Sequence, residues 1–264
     1  MVHMPGATFR MGSEDYDKDA SGDERPAHEV TLSAFCIDAT EVTVASYRRC
    51  TTEDRNGVRC PVLPAIKQWD PADLKFWARF CNRDGADRDD HPVSCVDWEA
   101  ASTYCKWAGG ALPTEAQWEY AARGVERRRF PWGDQPPGPS LLNACGAECR
   151  GMAERLGKSL PGMHEGNDGA ETTAPVGSYP EGATPRGVMD LAGNVAEWVR
   201  DTKADYESAL PKDPVQTAGR LHVVRGGAWY TPTPRAVRGA ARDSLTDGFY
   251  LNGVGFRCVH EEIR

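Results

Sequence analysis

The chain has no run of apolar residues approaching the ~18 needed to cross a bilayer as a helix, so no span of that kind is expected. It is also short of positive charge. Lysine and arginine total 31 against 39 aspartate and glutamate, and the net charge is −8. An acidic chain repels phosphate backbones, which argues against nucleic-acid binding. The one basic run, Arg127-Arg128-Arg129 beside Glu126, reads as a solvated loop. Repeats, low-complexity tracts and Gly/Ser linkers are missing, which favours one domain over residues 1–264. The six histidines, at 3, 28, 91, 164, 222 and 260, lack the spacing of a metal-ligand set. Met1-Val2-His3-Met4 runs straight into Pro5-Gly6 without the charged and apolar regions of a signal peptide.

What the chain has in quantity is turn formers, aromatics and cysteine. With 27 Gly and 19 Pro in 264 residues, a bundle or coiled coil is unlikely on composition and a loop-rich fold is favoured. Eight Trp, eight Tyr and seven Phe supply enough apolar surface for a substantial core. Nine cysteines leave two readings open: metal or redox chemistry in a reducing compartment, or disulfides with one thiol over in an oxidising one. The expectation taken forward is an exported protein whose leader is not part of this chain.

Local patterns place several elements. Thr8 to Met11 reads as a short strand, Glu14 to Arg25 as an acidic loop, and His28 to Asp38 as one strand carrying Val30, Leu32, Phe35 and Ile37. Thr43 is a candidate N-cap for a helix over 44–52. Residues 56–90 read as irregular. Asp97 caps a helix from Trp98 to Ala108, stopped by Gly109-Gly110, with Cys105 on its inner face. Thr114-Glu115-Ala116-Gln117 fits a capping box, with Trp118, Ala121 and Ala122 as the buried stripe and Gly124 as the stop. Beyond Phe130-Pro131-Trp132-Gly133 only short strands and long loops are expected.

A series of segments then carries a resemblance. In order they are Met4-Pro5-Gly6 through Met11-Gly12-Ser13, Asp38-Ala39-Thr40-Glu41-Val42-Thr43, His91-Pro92-Val93 with Val96-Asp97-Trp98, and Tyr104-Cys105 through Arg123-Gly124. There follow Pro131-Trp132-Gly133, Thr173-Ala174-Pro175-Val176-Gly177, Gly193-Asn194-Val195-Ala196-Glu197-Trp198, Arg225-Gly226-Gly227-Ala228-Trp229 and Gly255-Phe256-Arg257-Cys258. Over nearly its whole length the chain resembles the formylglycine-generating enzyme, or sulfatase-modifying factor, family. The resemblance implies an α+β, C-type-lectin-like fold, low in regular secondary structure.

It also implies what this chain has lost. The family's oxidases hold Cu(I) between two cysteines in the segment that here runs from Arg225 to Arg238, since soft thiolates suit Cu(I). Thr231 stands at about the first cysteine, and Pro234 and Arg235 fall in the region of the second. Ala228 replaces the serine after Gly-Gly, and Ala196 replaces a tryptophan. Copper-dependent formylglycine generation is therefore not expected. The scattered histidines likewise do not match the related iron sulfoxide synthases.

The family's calcium sites map onto Asn143, Ala144, Asp168 and Ala170, and onto Asp190, Gly193, Val195 and Glu197. Carboxylate, amide and carbonyl oxygens are the ligands a hard cation takes; the alternative is that Asp190 and Glu197 cap turns. A family disulfide maps onto Cys105 and Cys258, and a second onto Ala122 and Gly239, where both cysteines are missing. Cys50 with Cys60, and Cys145 with Cys149, read as local staples. Of the remaining three, Cys36 with Cys95 is slightly favoured, leaving Cys81 free; the alternative throughout is buried free thiols.

The functional expectation is a binding or accessory domain that takes a peptide or small anionic ligand on its C-terminal loops. Trp229, Tyr230, Thr231, Arg235, Arg238 and Arg242 are the candidate contacts, together with Tyr250. Trp229 reads more readily as core than as contact, and Arg238 and Arg242 could equally be core ion pairs. The competing expectation is a diverged enzyme in the same pocket, using Tyr230, Thr231, Arg242 and Asp243.

Overall fold

Residues 1–63, 72–83, 86–207, 212–246, 248 and 251–261 are described by a computed structural model. Its regular elements are few and short. Strands β1 (Val2–Met4), β4 (Phe35–Ile37) and β9 (Val259–Glu261) form one antiparallel sheet in the order β1-β4-β9. Strands β2 (Ala7–Met11) and β3 (His28–Leu32) pair as a second. The third sheet runs β7-β6-β5-β8, from β5 (Ala196–Thr202), β6 (Leu221–Arg225), β7 (Asp243–Thr246) and β8 (Val254–Gly255). The helices are α1 (Val44–Thr52), α2 (Ala72–Ala78), α3 (Trp98–Trp107), α4 (Glu115–Arg123) and α5 (Ala147–Arg155). Among the described residues no helix is long and apolar enough to cross a membrane.

Three helices begin where their caps dictate. Thr43 accepts the N–H of Ser46, Asp97 accepts that of Ala100, and Thr114 and Gln117 close a reciprocal capping box. Gly124, at φ +61°, ends α4 in a conformation that side-chain-bearing residues rarely adopt. The stripe facing inward from α4 includes Trp118, 0% exposed, between the strands and the third sheet. The same helix buries two carboxylates, Glu115 and Glu119, on its i, i+4 face, which no apolar pattern foretells.

Several expectations give way. The alternation over 28–38 breaks at Ser33-Ala34, so it builds two strands in different sheets rather than one. Helix α2 lies in a stretch expected to be irregular, and α5 lies where only strands and loops were expected. Helix α5 has Gly146 at its N-cap with no side-chain cap, Gly151 within it, and only Cys149, Met152 and Ala153 buried, so its start signal and stripe are both weak. The arginine run is not simply solvated. Arg127 and Arg129 pair with Glu14 and Asp19 of the acidic loop, and Arg128 pairs with Glu126.

Four disulfides join Cys50–Cys60, Cys81–Cys95, Cys105–Cys258 and Cys145–Cys149. The favoured Cys36–Cys95 pair is wrong, and the free thiol is Cys36 rather than Cys81. Cys36 occupies the central strand β4, where its cross-strand neighbours are His3 and His260. Cys95 belongs to a loop at φ +58°, its N–H donated to Leu251, which sets its Cα 5.5 Å from that of Cys81. The positions of the missing family disulfide adjoin one another: a Cβ on Gly239 would lie 3.4 Å from the Cβ of Ala122.

Candidate functional site

Strand β6 ends at Arg225, and the next two residues turn the chain sharply. Gly226 and Gly227 sit at φ +91° and +70°; a Cβ on Gly227 would lie 2.9 Å from Val237 Cγ1. Ala228 to Thr231 then close a small turn. Thr231 donates its N–H to the Ala228 carbonyl at 2.8 Å, and its Oγ1 accepts the Ala228 N–H at 2.8 Å. Thr231 thus uses its side-chain oxygen to hold the turn. A 3₁₀ turn, Pro234–Val237, follows.

This segment walls a cavity of about 440 Å³, a volume that suits a small ligand. Tyr230, Thr231, Arg235, Arg238 and Arg242 all line it, as does Asp243. Trp229 does not. It is 1% exposed and stacks edge-on with Phe80 and Tyr230, so it supports the wall from behind. Tyr250 lies outside the described residues.

Three of the four lining arginines, Arg225, Arg238 and Arg242, are held in place by carboxylates. Arg225 reaches Glu115 at 2.7 Å and Glu119 at 3.0 Å; Arg238 reaches Glu24 at 2.7 Å; Arg242 reaches Glu115 at 2.7 Å. All three arginine side chains are at most 3% exposed. Removing one partner from such a pair costs about 3–5 kcal/mol, because a buried charge is left alone. Glu119 stays ionised despite its burial because Arg123 and Arg225 hold its carboxyl below the usual range. Burial, then the charge of Asp243, pushes the Tyr230 phenol up to about 12, so it is a poor base near neutral pH.

The two oxygen-rich loop sets lie side by side, since the Asn143 amide donates to Asn194 Oδ1 at 3.0 Å and the Asn194 N–H to the Asn143 carbonyl at 2.9 Å. In the first set, Asp168 accepts the N–H groups of Ala144 and Ala170, each at 3.0 Å. Burial, then the neighbouring Glu148, pushes Asp168 up to about 7. Among the described residues, Asn143 Oδ1 and Glu148 Oε2 are buried acceptors with no donor. In the second, Glu197 is clasped by Arg257 at 2.7 and 2.8 Å and accepts from Trp118 at 2.9 Å. Asp190 accepts the Gly177 N–H at 2.6 Å.

Sequence reasoning missed a third carboxylate here. Glu41, 2% exposed, accepts from Asn194 at 3.0 Å, while its Oε2 has no partner among the described residues. Burial, then Asp190, holds its carboxyl well above the usual range. Glu41 stood in a segment carrying the resemblance, but nothing local marked it as buried. Three carboxylates therefore share one guanidinium, Arg257. Donor-less oxygens beside surplus negative charge are what a hard cation would satisfy. Among the described residues no three acidic, His or Cys side chains converge as a metal-holding group, so such a cation would rely on amide and backbone oxygens as well.

The family model described as the sulfatase-modifying factor enzyme 1-like domain matches residues 1–262. The formylglycine-generating enzyme of Streptomyces coelicolor is 34% identical over 294 residues, covering 98% of this chain and 88% of the relative. The one from Bos taurus is 31% identical over 296 residues, covering 100% and 75%. The inactive C-alpha-formylglycine-generating enzyme 2 of Mus musculus is 30% identical over 290 residues, covering 98% and 85%. Among solved structures, PvdO from Pseudomonas aeruginosa superposes with a TM-score of 0.70 at 26% identity, covering 98% of this chain and 93% of that one.

Proposed function

The chain belongs to the sulfatase-modifying factor enzyme 1-like family, and we propose that it serves there as a binding or accessory domain, not as a copper oxidase. One observation carries this reading. No cysteine lines the cavity, and eight of the nine cysteines are consumed in disulfides, while the ninth, Cys36, belongs to the three-stranded sheet. A two-thiolate Cu(I) site has no ligands there. A relative named as inactive, 30% identical, supports the view that the family accommodates such members. The alternative, a diverged enzyme, is weakened because Arg242 is committed to Glu115 and Tyr230 is a poor base. The ligand in this reading is a peptide or a small anionic molecule held against the cavity wall.

Calcium completes the proposal. Asn143, Ala144, Asp168 and Ala170 would hold one ion, and Asp190, Gly193, Val195 and Glu197 a second, with Glu41 beside it. The donor-less oxygens of Asn143 and Glu41 support this. A bound cation would brace loops that have little regular structure of their own. The four disulfides favour an oxidising, exported location.

The test is to load the protein with Cu(I) under oxygen, add a cysteine-containing peptide, and trap any aldehyde with a hydrazide probe. The proposal expects none; aldehyde formation would refute it.

A further inference from the structure

Charge around the cavity is almost entirely self-compensated. Arg225, Arg238, Arg242 and Lys203 are each paired with a carboxylate, and Asp19, Asp23 and Glu24 are each paired with a cation. Two lining residues are exceptions. Arg235 makes no ion pair or side-chain hydrogen bond among the described residues, and the Asp243 carboxylate accepts only the adjacent Ser244 N–H, at 2.7 Å. Both are exposed. The cavity therefore presents one uncommitted charge of each sign.

The rest of the lining adds two features. Hydrogen-bond donors are in surplus: Arg225, Arg238 and Arg242 each leave an Nε–H without an acceptor, and Tyr230 and Thr231 carry hydroxyls. The opposite character comes from Val224, Leu245, Leu251 and Val254, which give part of the wall an aliphatic surface.

We propose that this cavity takes a zwitterionic ligand of amino-acid chemistry, its carboxylate held by Arg235, its ammonium by Asp243, and an aliphatic side chain laid on the apolar wall. A simple oxyanion would meet Arg235 but leave Asp243 as an uncompensated repulsion. A simple cation would meet the reverse. A guanidinium and a carboxylate lining one cavity discriminate by rejecting whichever analogue lacks a charge. The inference rests on reading the cavity as a binding site, and within that reading it puts a zwitterion in place of the simple anion.

Isothermal titration with L-leucine, N-acetyl-L-leucine, L-leucine methyl ester and inorganic phosphate tests it on the intact protein. L-leucine should bind saturably, and each capped analogue at least about tenfold more weakly, the factor that 1.4 kcal/mol supplies. Arg235→Gln should abolish the preference for leucine over its methyl ester, and Asp243→Asn the preference over N-acetyl-leucine. Both residues are exposed, so a thermal melt matching the parent will show the variants are folded. Three results would overturn the inference: binding of N-acetyl-leucine or phosphate as tight as that of leucine, equal loss of all ligands in both variants, or no saturable leucine binding. The first would leave the broader binding role intact, whereas aldehyde formation in the copper assay would remove that role and leave the zwitterion preference to stand or fall by itself.

Discussion

Replacing each disulfide in turn by a pair of alanines should destabilise the protein in order of the loop it closes. In the chain-entropy account a cross-link acts on the unfolded state, and its effect grows with the logarithm of the loop length. The Cys105–Cys258 bridge spans 153 residues and is worth about 5 kcal/mol. Cys81–Cys95, spanning 14, and Cys50–Cys60, spanning 10, are each worth about 3 kcal/mol. Cys145–Cys149, spanning 4, is worth about 2 kcal/mol. A 264-residue chain has an unfolding entropy of roughly 0.55 kcal/mol/K, so losing the long bridge should lower Tm by about 9 °C and losing the short one by about 3–4 °C. Each double variant loses two sulfurs, so the packing loss is similar in kind and the ranking survives it. Differential scanning calorimetry at fixed pH and calcium gives the numbers. Four equal losses, or a largest loss at Cys145–Cys149, would refute the loop-entropy reasoning.

Chelation should lower Tm if calcium braces the oxygen-rich loops, and the loss should shrink in Glu41→Gln; an unchanged melting curve in excess chelator would count against both sites. Arg257→Met should cost about 3–5 kcal/mol in denaturant unfolding, because it strands Glu197, 0% exposed, without its cation; a loss below about 1 kcal/mol would show that the pair is dispensable. Asp201 is held up to about 6 by burial, above the ~3.9 of an unfolded aspartate. Its ionisation therefore opposes folding: the penalty is absent below about pH 4, grows between pH 4 and 6, and is complete above. Stability measured from pH 4.5 to 7.5 should include a falling component, worth on the order of 2–3 kcal/mol, that Asp201→Asn removes.

The parts of the fold legible in sequence are those with local chemistry. Thr43, Asp97 and the Thr114–Gln117 box each announce a helix because a side chain must satisfy the free N–H groups of the first turn. Helix α5 carries no such cap, so nothing local announces it. The cavity's position could be read from the Arg225-Gly226-Gly227 turn, but its electrostatics could not. Arg225 meets Glu119 across 106 residues, and Arg242 meets Glu115 across 127. Pairs at that separation leave no periodic trace. The same holds for Glu41, whose burial arises from Asn194, 153 residues away. The Cys81–Cys95 bridge is hidden for a related reason: only the loop conformation of Cys95, at φ +58°, brings it to Cys81, and no local pattern announces that turn.

On the proposed reading the pocket binds a ligand and takes no copper. Competitive Cu(I) titration of the oxidised, disulfide-intact protein, with Cys36→Ser alongside the parent, addresses it most directly. No stoichiometric tight site is expected, and at most a weak one that disappears with the Cys36 thiol. Tight one-to-one binding that persists in Cys36→Ser would contradict it.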